Sequence, residues 1–470
     1  MTAIEATEAY RRLLTEIGIA ESDAGGTVSI TGADPIVPSP HRLGAASAAA
    51  LAAQGTAIAA IWRQRSGRGQ DVAVDVRRAA VPGLRTIYAI AQNGYPLRPT
   101  ARGDGVQFFR TRDNRAVYLL RVPDYQRMLF GMLDLLQCQN NTESIAKAVA
   151  SWHSDELEDA IAERKLVGVI ARDRDEWRAH PQGKFLAARP TISIAKIGDS
   201  APEPFAPASH PLSGIRVLDV THVLAGPAAA RTLAEQGADV LHIASLRHPD
   251  SAVMMMDTSL GKRSAYLDLD GERDRARLAA LTRECDIFVH SWRQGALDRR
   301  GFAAEQVAAL RPGAIYVSIS AYGAGGPWAA RGGYDPVGQV VSGLAMEEGS
   351  TDKPRLAPTG TMNDYLTAYL AAAGALGALI RRAREGGSYR VDVSLTAASM
   401  FVMDLGLLPA TPKADDVFGL DPLPSDLQTT ATSFGAVTHP APITGYSETK
   451  AYWDKPSVYY GSGQAAWLTR

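Results

Sequence analysis

PLSGIRVLDVTHVLAGPAAARTLAEQGADVLHI, from Pro211 to Ile243, decides the fold. IRVLDV is a short apolar run with β-branched residues, the pattern of a strand covered on both faces. HVLAGP brings Gly-Pro punctuation, with Pro227 where a helix can begin. AAARTLAEQ is a helix former with Arg231 and Glu235 four apart, Gly237 ends it, and ADVLHI returns as a strand. Strand, helix and strand make a βαβ unit, the opening of an α/β domain.

Beyond this unit the alternation continues. KRSAYLDL reads as a strand, DRARLAALTREC as a helix, DIFVHSW as a strand, FAAEQVAAL as a helix and AIYVSIS as a strand, which predicts a mostly parallel sheet. Arg247 and Met254–Met256 fall in an expected loop, and AYGAGGPWAARGGYDP (321–336) is a Gly-rich loop at a strand's carboxyl end, where α/β sheets bind ligands. Upstream, residues 1–20 read as an amphipathic helix, 44–65 as an Ala-rich helix, QDVAVDVRRAAV as a strand before another helix, and 86–100 as a linker. FFRTRDNRAVYLLRV predicts two strands, and DYQRMLFGMLDLL, ESIAKAVASW and DELEDAIAERK predict helices. VGVIARDRDEWRAHPQGK predicts a strand, an acidic helix and a loop. Together these predict a small α+β domain.

The 470 residues suffice for more than one domain. A net charge of -1 gives no support for a nucleic-acid surface or a polybasic anchor. Two cysteines, Cys138 and Cys285, argue against a disulfide scaffold or thiolate metal site and fit the cytoplasm. The N-terminus lacks the pattern of a secretion signal. GAASAAALAAQGTAIAAIW (44–62) is uncharged over about a membrane width, but its small residues and Gln54 favour a buried helix of a soluble protein.

Part of the chain repeats. LAAQGTAIAAIWRQRSG at 51–67 lies over LAAAGALGALIRRAREG at 370–386 without a gap, and a two-residue difference in the next turn brings VAVDVRRAA over YRVDVSLTAA. Both read as Ala-rich helix, Gly turn and a strand with V-D-V. The offset of 319 sets Ala45 opposite Asp364, and no carboxylate occurs between Asp34 and Asp71.

Asp364 opens the helix in GTMNDYLTAYLAAAGALGAL. It reads either as a helix N-cap or as a carboxylate kept ionised by the helix terminus and able to attack an activated acyl group. Gly-rich N–H groups at 323–326 are candidates for stabilising the oxyanion. No GxGxxG opens the βαβ unit, and no P-loop, HExxH or GxSxG occurs. His222, His248 and His290 lack metal-ligand spacing. Lys262-Arg263 and Arg299-Arg300 each read as a solvated face or a phosphate clamp.

These blocks resemble the class III CoA-transferases, a family that includes formyl-CoA transferase, carnitine CoA-transferase and α-methylacyl-CoA racemases. PLSGIRVLDVTHVLAGPAAARTLAEQGADVLHI, GKRSAYLDL, DIFVHSWRQGALDRRGF, ISAYGAGGPWAARGGYDPVGQVVSGL, GTMNDYLTAYLAAAGALGALIRR and GGSYRVDVSL follow the family's order across 211–400. Residues 104–183, with His180-Pro181-Gln182, resemble its small domain. The resemblance implies that Asp364 is the nucleophile, forming an acyl anhydride and then an aspartyl-CoA thioester. It places His222, Val223 and Ala225 along the CoA arm, makes Lys262 a CoA-contacting lysine, and sets Ser291, Trp292, Arg299 and Arg300 around the nucleotide end. Arg299 is expected to pair with phosphate. The chain departs at His290-Ser291-Trp292, where the family has Glu-Asn-Phe, and at Ala244, where it has an acidic residue. It departs again at Tyr334, where the racemases have histidine, which argues against racemisation.

The expected architecture is α/β: a Rossmann-like parallel-sheet large domain with a smaller α+β domain. Residues 1–100 are expected as a degenerate partial repeat of the large domain, 101–190 as the small domain and 191–210 as a linker. Residues 211–410 are expected as the CoA-binding catalytic domain and 411–470 as an extended tail packing on it. The expected function is transfer of CoA from an acyl-CoA to a carboxylic acid. The alternatives are a racemase-like isomerase and a non-catalytic CoA-binding protein. Coenzyme A is expected as part of the substrate, with no tightly bound cofactor and no metal. A cytoplasmic homodimer with no nucleic-acid or membrane partner is expected.

Overall fold

The computed structural model describes residues 5–97, 107–121 and 125–469. α1 (Ala6–Ile17) is amphipathic and buries Tyr10, Leu13, Leu14 and Ile17. β1 (Val28–Thr31), α2 (Leu43–Ser66), β2 (Val72–Asp75) and α3 (Val76–Leu84) follow. The expected linker over 86–100 instead contains a hairpin, β3 (Ala91–Gln92) and β4 (Tyr95–Pro96). Asn93 and Gly94 both take positive φ at its turn, the geometry that a two-residue hairpin loop requires. The last three residues of that stretch lie outside the described residues.

The small domain holds an antiparallel sheet of β5 (Phe108–Arg110), β6 (Ala116–Leu119) and β7 (Gly168–Ile170). Between the last two strands run α4 (Gln126–Leu136), α5 (Thr142–Val149) and α6 (Ser154–Glu163); α7 (Arg174–Ala179) and α8 (Pro181–Ala187) close the unit. The segment read as an HPQGK loop is therefore helical. His180 caps α8, accepting from the Gln182 N–H, and Pro181 holds the first helical position, where a missing N–H costs nothing.

The expected linker over 191–210 contains β8 (Ser193–Gly198), a strand of the main sheet. The large domain then runs β9 (Arg216–Val220), α9 (Ala225–Ala234), β10 (Asp239–Ala244), α10 (Ala252–Thr258), β11 (Lys262–Tyr266), α11 (Glu272–Thr282), β12 (Ile287–His290), α12 (Ala304–Leu310) and β13 (Ile315–Ser320). After these come α13 (Asp335–Ser342), α14 (Leu344–Glu348), α15 (Met362–Glu385), β14 (Ser388–Ser394) and α16 (Leu395–Asp404). Met254–Met256, read as loop residues, belong to α10. The sheet order is β11-β10-β9-β12-β13-β14-β8, parallel except for β8. The chain winds outward from β9 to β11 and then returns to β12 on the other side. That reversal opens a crevice at the carboxyl ends of β9 and β12.

The tail does not simply pack on the large domain. β15 (Leu427–Thr432) and β16 (Gly435–Pro440) join β3 and β4 in one antiparallel sheet, and β17 (Gly445–Tyr446) pairs with β2. Only then does the chain cross to β11, where the Gly463 N–H reaches the Ser264 carbonyl (2.7 Å).

α2 is long and apolar enough to cross a membrane, yet its apolar window is wholly buried, packed on α15, α1 and α3. The two repeated segments fold alike. α2 and α15 lie against each other, and each leads through a glycine turn to a strand that runs into a helix. β2 lies between parallel β1 and antiparallel β17; β14 lies between parallel β13 and antiparallel β8.

Candidate active site

Asp364 is not the N-cap of α15. Thr361 caps the helix, and Asp364 is its third residue, on the first turn and 7% exposed. Its N–H donates to Asp335 Oδ2 (3.1 Å), while Asn363 Nδ2 donates to the Asp335 carbonyl (2.9 Å) and Ser399 Oγ to Asn363 Oδ1 (2.9 Å). The first turn of α15 is thus fixed to the first residue of α13 and to α16, and the helix N-terminus favours negative charge there. Tyr334, just before α13, stacks on Tyr125 of the small domain with ring centroids 5.1 Å apart. Burial raises the Tyr334 pKa; Arg293 lowers it, and Asp250 and Asp364 add to the rise.

The crevice at the strand reversal gathers six of the eight expected CoA-binding residues. After β9, Val223 has φ 72°, strained for a β-branched residue. Its N–H is held by both carboxylate oxygens of Asp250 (3.1 and 3.2 Å). Burial raises the Asp250 pKa to about 6, although this hydrogen bond opposes the rise. The His222 N–H donates to Ser291 Oγ (3.3 Å), so the loops after β9 and β12 are tied together. Burial and the facing His248 lower the His222 pKa to about 4, leaving a neutral imidazole at pH 7. Ala225 begins α9. Trp292 Nε1 donates to the Val220 carbonyl (2.9 Å), and the Arg300 guanidinium lies over the Trp292 ring at 5.4 Å and pairs with Asp270. A cavity of about 50 Å³ opens among Val220, Ala244, His248, Leu267, Trp292 and Arg300.

Two of the eight sit elsewhere. Arg299 is exposed, its guanidinium alongside Gly295 on the outside of this loop. Lys262 is 1% exposed: its ammonium donates to Asp219 Oδ2 (2.8 Å) and the Pro227 carbonyl (2.6 Å) beneath α9. Burial lowers the Lys262 pKa, opposed by Asp219. Against its own burial, Asp219 is held well below the usual carboxylate range by Lys262 and His242. Lys262 is therefore a core ion-pair residue, which corrects the expectation of a direct CoA contact.

The Gly-rich loop also differs from its expected role. The Gly323 N–H is used by Ser320 Oγ (3.0 Å). Gln182 Nε2 reaches the Tyr322 and Gly325 carbonyls (2.7 and 2.8 Å), and its Oε1 accepts from the Trp328 N–H (2.8 Å). The loop thus docks the large domain on the small one, and of its four candidate N–H groups Gly323's is taken within the loop. Asp335, Asp250, Tyr125 and Arg293 were missed by sequence reasoning; only Asp335, beside Pro336 at the end of the Gly-rich loop, carried a local signal. No group of three or more metal-ligating side chains occurs among the described residues.

Residues 212–417 match the family model of CoA-transferase family III. The chain is 38% identical to acetyl-coenzyme A transferase nodX of Hypoxylon pulicicidum over 271 residues, covering 54% of this chain and 46% of that protein. It is 36% identical to formyl-CoA:oxalate CoA-transferase of Streptomyces coelicolor over 199 residues, covering 40% and 48%. A CAIB/BAIF family protein from Brucella suis is similar in structure at 27% identity and a TM-score of 0.39, covering 49% of this chain and 65% of that one. The chain spans about half the length of the curated relatives it matches.

Proposed function

Because residues 212–417 form a CoA-transferase family III segment, we propose that this chain transfers CoA from an acyl-CoA to a carboxylic acid, with Asp364 as nucleophile. The observation that carries this reading is the position of Asp364. It lies in the first turn of α15, fixed through Asp335 to α13, and Tyr334, the residue before α13, senses its charge. A carboxylate held in place beside a thioester can do the chemistry without a metal or redox group.

The Asp364 carboxylate attacks the thioester carbonyl, an acyl anhydride forms, and the C–S bond breaks to release CoA thiolate. The thiolate attacks the Asp364 carbonyl, releasing the donor acid and leaving an aspartyl-CoA thioester. The acceptor carboxylate attacks that carbonyl, giving a second anhydride and thiolate. Thiolate attack on the acceptor's acyl carbon yields the new acyl-CoA and frees Asp364. His222 and Val223 line the sulfur end, while Trp292 and Arg300 receive the nucleotide end.

We further infer that the N-terminal segment is a copy without a nucleophile. Asp34 Oδ2 accepts from the Ala45 N–H (2.8 Å), as Asp335 Oδ2 accepts from the Asp364 N–H. The supporting carboxylate is kept and the nucleophile is alanine, so each chain carries one reactive site.

Incubation with an acyl-CoA followed by peptide mass spectrometry tests both points. One CoA adduct per chain is expected, on the Asp364 peptide. Asp364→Asn is expected to remove it and to lower transfer by roughly 10³-fold or more, with the fold intact because the backbone bond to Asp335 remains. An adduct on another residue, or transfer surviving in the variant, refutes the mechanism.

A further inference from the structure

The loop after β9 is tied down at three points. Thr221 donates to Asp219, the His222 N–H to Ser291 Oγ (3.3 Å) and the Val223 N–H to both carboxylate oxygens of Asp250 (3.1 and 3.2 Å). The third tie holds the most strained backbone. Asn93, Asn114, Gln137, Lys165 and Val223 take positive φ among the described residues, and Val223 alone of these is β-branched. Its conformation is therefore the costliest of the set and persists only while something outside the loop fixes it.

Asp250 supplies that hold and little else. The buried carboxylates Asp219, Asp257 and Asp286 pair with Lys262, Arg231 and Arg382. Asp250 is 9% exposed, and among the described residues it has no cation within ion-pair distance; the Val223 N–H is its hydrogen-bond partner. The titratable groups facing it are His242 of β10, Asp219 of β9, Lys262 of β11, Tyr460 of the tail and Tyr334 ahead of α13. Tyr334 feels the charges of Asp250 and Asp364 alike, so the hold on Val223 lies on the nucleophile's side of the crevice. Burial lifts the Asp250 pKa to about 6, whereas Asp219 stays ionised far below that and the Ser291 tie does not titrate. Mild acid thus weakens one tie of the three, because a charge-assisted hydrogen bond is stronger than a neutral one.

We propose that Asp250 is a positioning residue for the transfer: through the Val223 N–H, its carboxylate holds His222 and Val223 in the shape that receives the sulfur end of the acyl-CoA. This rests on the transfer reading above. The test measures kcat/KM for acetyl-CoA against pH, with the best of a panel of carboxylic acids as acceptor. The wild-type value is expected to fall on the acid side with a midpoint of about 6. Asp250→Asn is expected to lack that step and to lie roughly 10- to 100-fold below the wild-type plateau, the worth of a charge-assisted hydrogen bond. Glycine takes positive φ freely, so Val223→Gly is expected to flatten the acid step, and adding Asp250→Asn to it to cost roughly threefold or less. A wild-type plateau in Asp250→Asn, an acid step that survives in it, or an equal loss in the Val223→Gly background overturns the proposal. If Asp250→Asn does not fold, Val223→Gly decides alone: an acid step as deep as in wild type refutes the hold. If wild type transfers to no acid, the transfer reading fails separately, and acetyl-CoA binding by calorimetry at acid and neutral pH decides. Affinity that weakens in acid for wild type but not for Asp250→Asn supports the proposal; equal behaviour of the two, or no binding to either, refutes it.

Discussion

Asp257 accepts from two groups beneath α15: the Arg231 guanidinium, and the hydroxyl of Tyr365 (2.6 Å), the residue after Asp364. All three side chains are buried. Asp257→Asn would leave Arg231 charged and unmatched in the core, and breaking a buried pair from one side costs about 3–5 kcal/mol. Urea unfolding is expected to show a loss of that size. A loss under about 1 kcal/mol would mean that water reaches Arg231 and screens it. At this scale the sequence was only partly legible. Arg231 and Glu235 were readable as an i,i+4 helical pair, yet Arg231 bonds to Asp257 on another helix. Lys262 read as a solvated face or a phosphate clamp because its partner, Asp219, lies on β9. Parallel pairing of β9, β10 and β11 brings the two within 2.8 Å.

Two helix glycines separate packing from propensity. A Cβ on Gly374 of α15 would lie 2.6 Å from Val391 Cγ1 and 2.7 Å from Ile192 Cγ2. On α2, a Cβ on Gly55 would lie 2.6 Å from Val72 Cγ1 and 3.1 Å from Thr444 Cγ2. The offset of 319 relates the two positions, and both let a helix lie close against its following strand. Alanine improves helix propensity by about 1 kcal/mol. Overpacking against stiff β-branched side chains costs about 1–3 kcal/mol, so packing wins. Gly374→Ala is therefore expected to lower Tm although it is the better helix former; a raised Tm would show that the strand yields. The helix-turn-strand pattern of both segments was plain in the sequence. The strands flanking β2 were not, because β17 comes from the far end of the chain.

His41 joins three parts of the molecule. Its ring nitrogens meet Glu348 and Glu347 of α14 (both 2.9 Å), and Glu347 also takes Arg174 from the small domain. Burial opposes the charge, but the two glutamates outweigh it and raise the His41 pKa above its ordinary 6.5. A raised histidine pKa stabilises fully below the unfolded value and is lost as pH rises through the folded one. The stability gap between wild type and His41→Gln is thus expected to be widest below pH 6.5 and to narrow as pH rises. Glu347, whose pKa is lowered, acts oppositely and only on the acid side of its ordinary 4.5, so urea titrations above pH 5 isolate the histidine. A gap independent of pH would mean that folding leaves the His41 pKa unchanged, and one that shrinks below pH 6.5 would mean that the buried ring stays neutral.

The sequence by itself determined the alternation of strands and helices, the internal likeness of α2-β2 and α15-β14, and the candidacy of Asp364. All of these are written in local periodicity and in short motifs read along one segment. Only the tertiary structure decided the strand order that opens the crevice between β9 and β12, the burial of Lys262 and the exposure of Arg299. It alone set the tail beside β2. Charge pairing and sheet neighbours depend on which distant residues the fold brings within a few ångströms, and no local pattern encodes that.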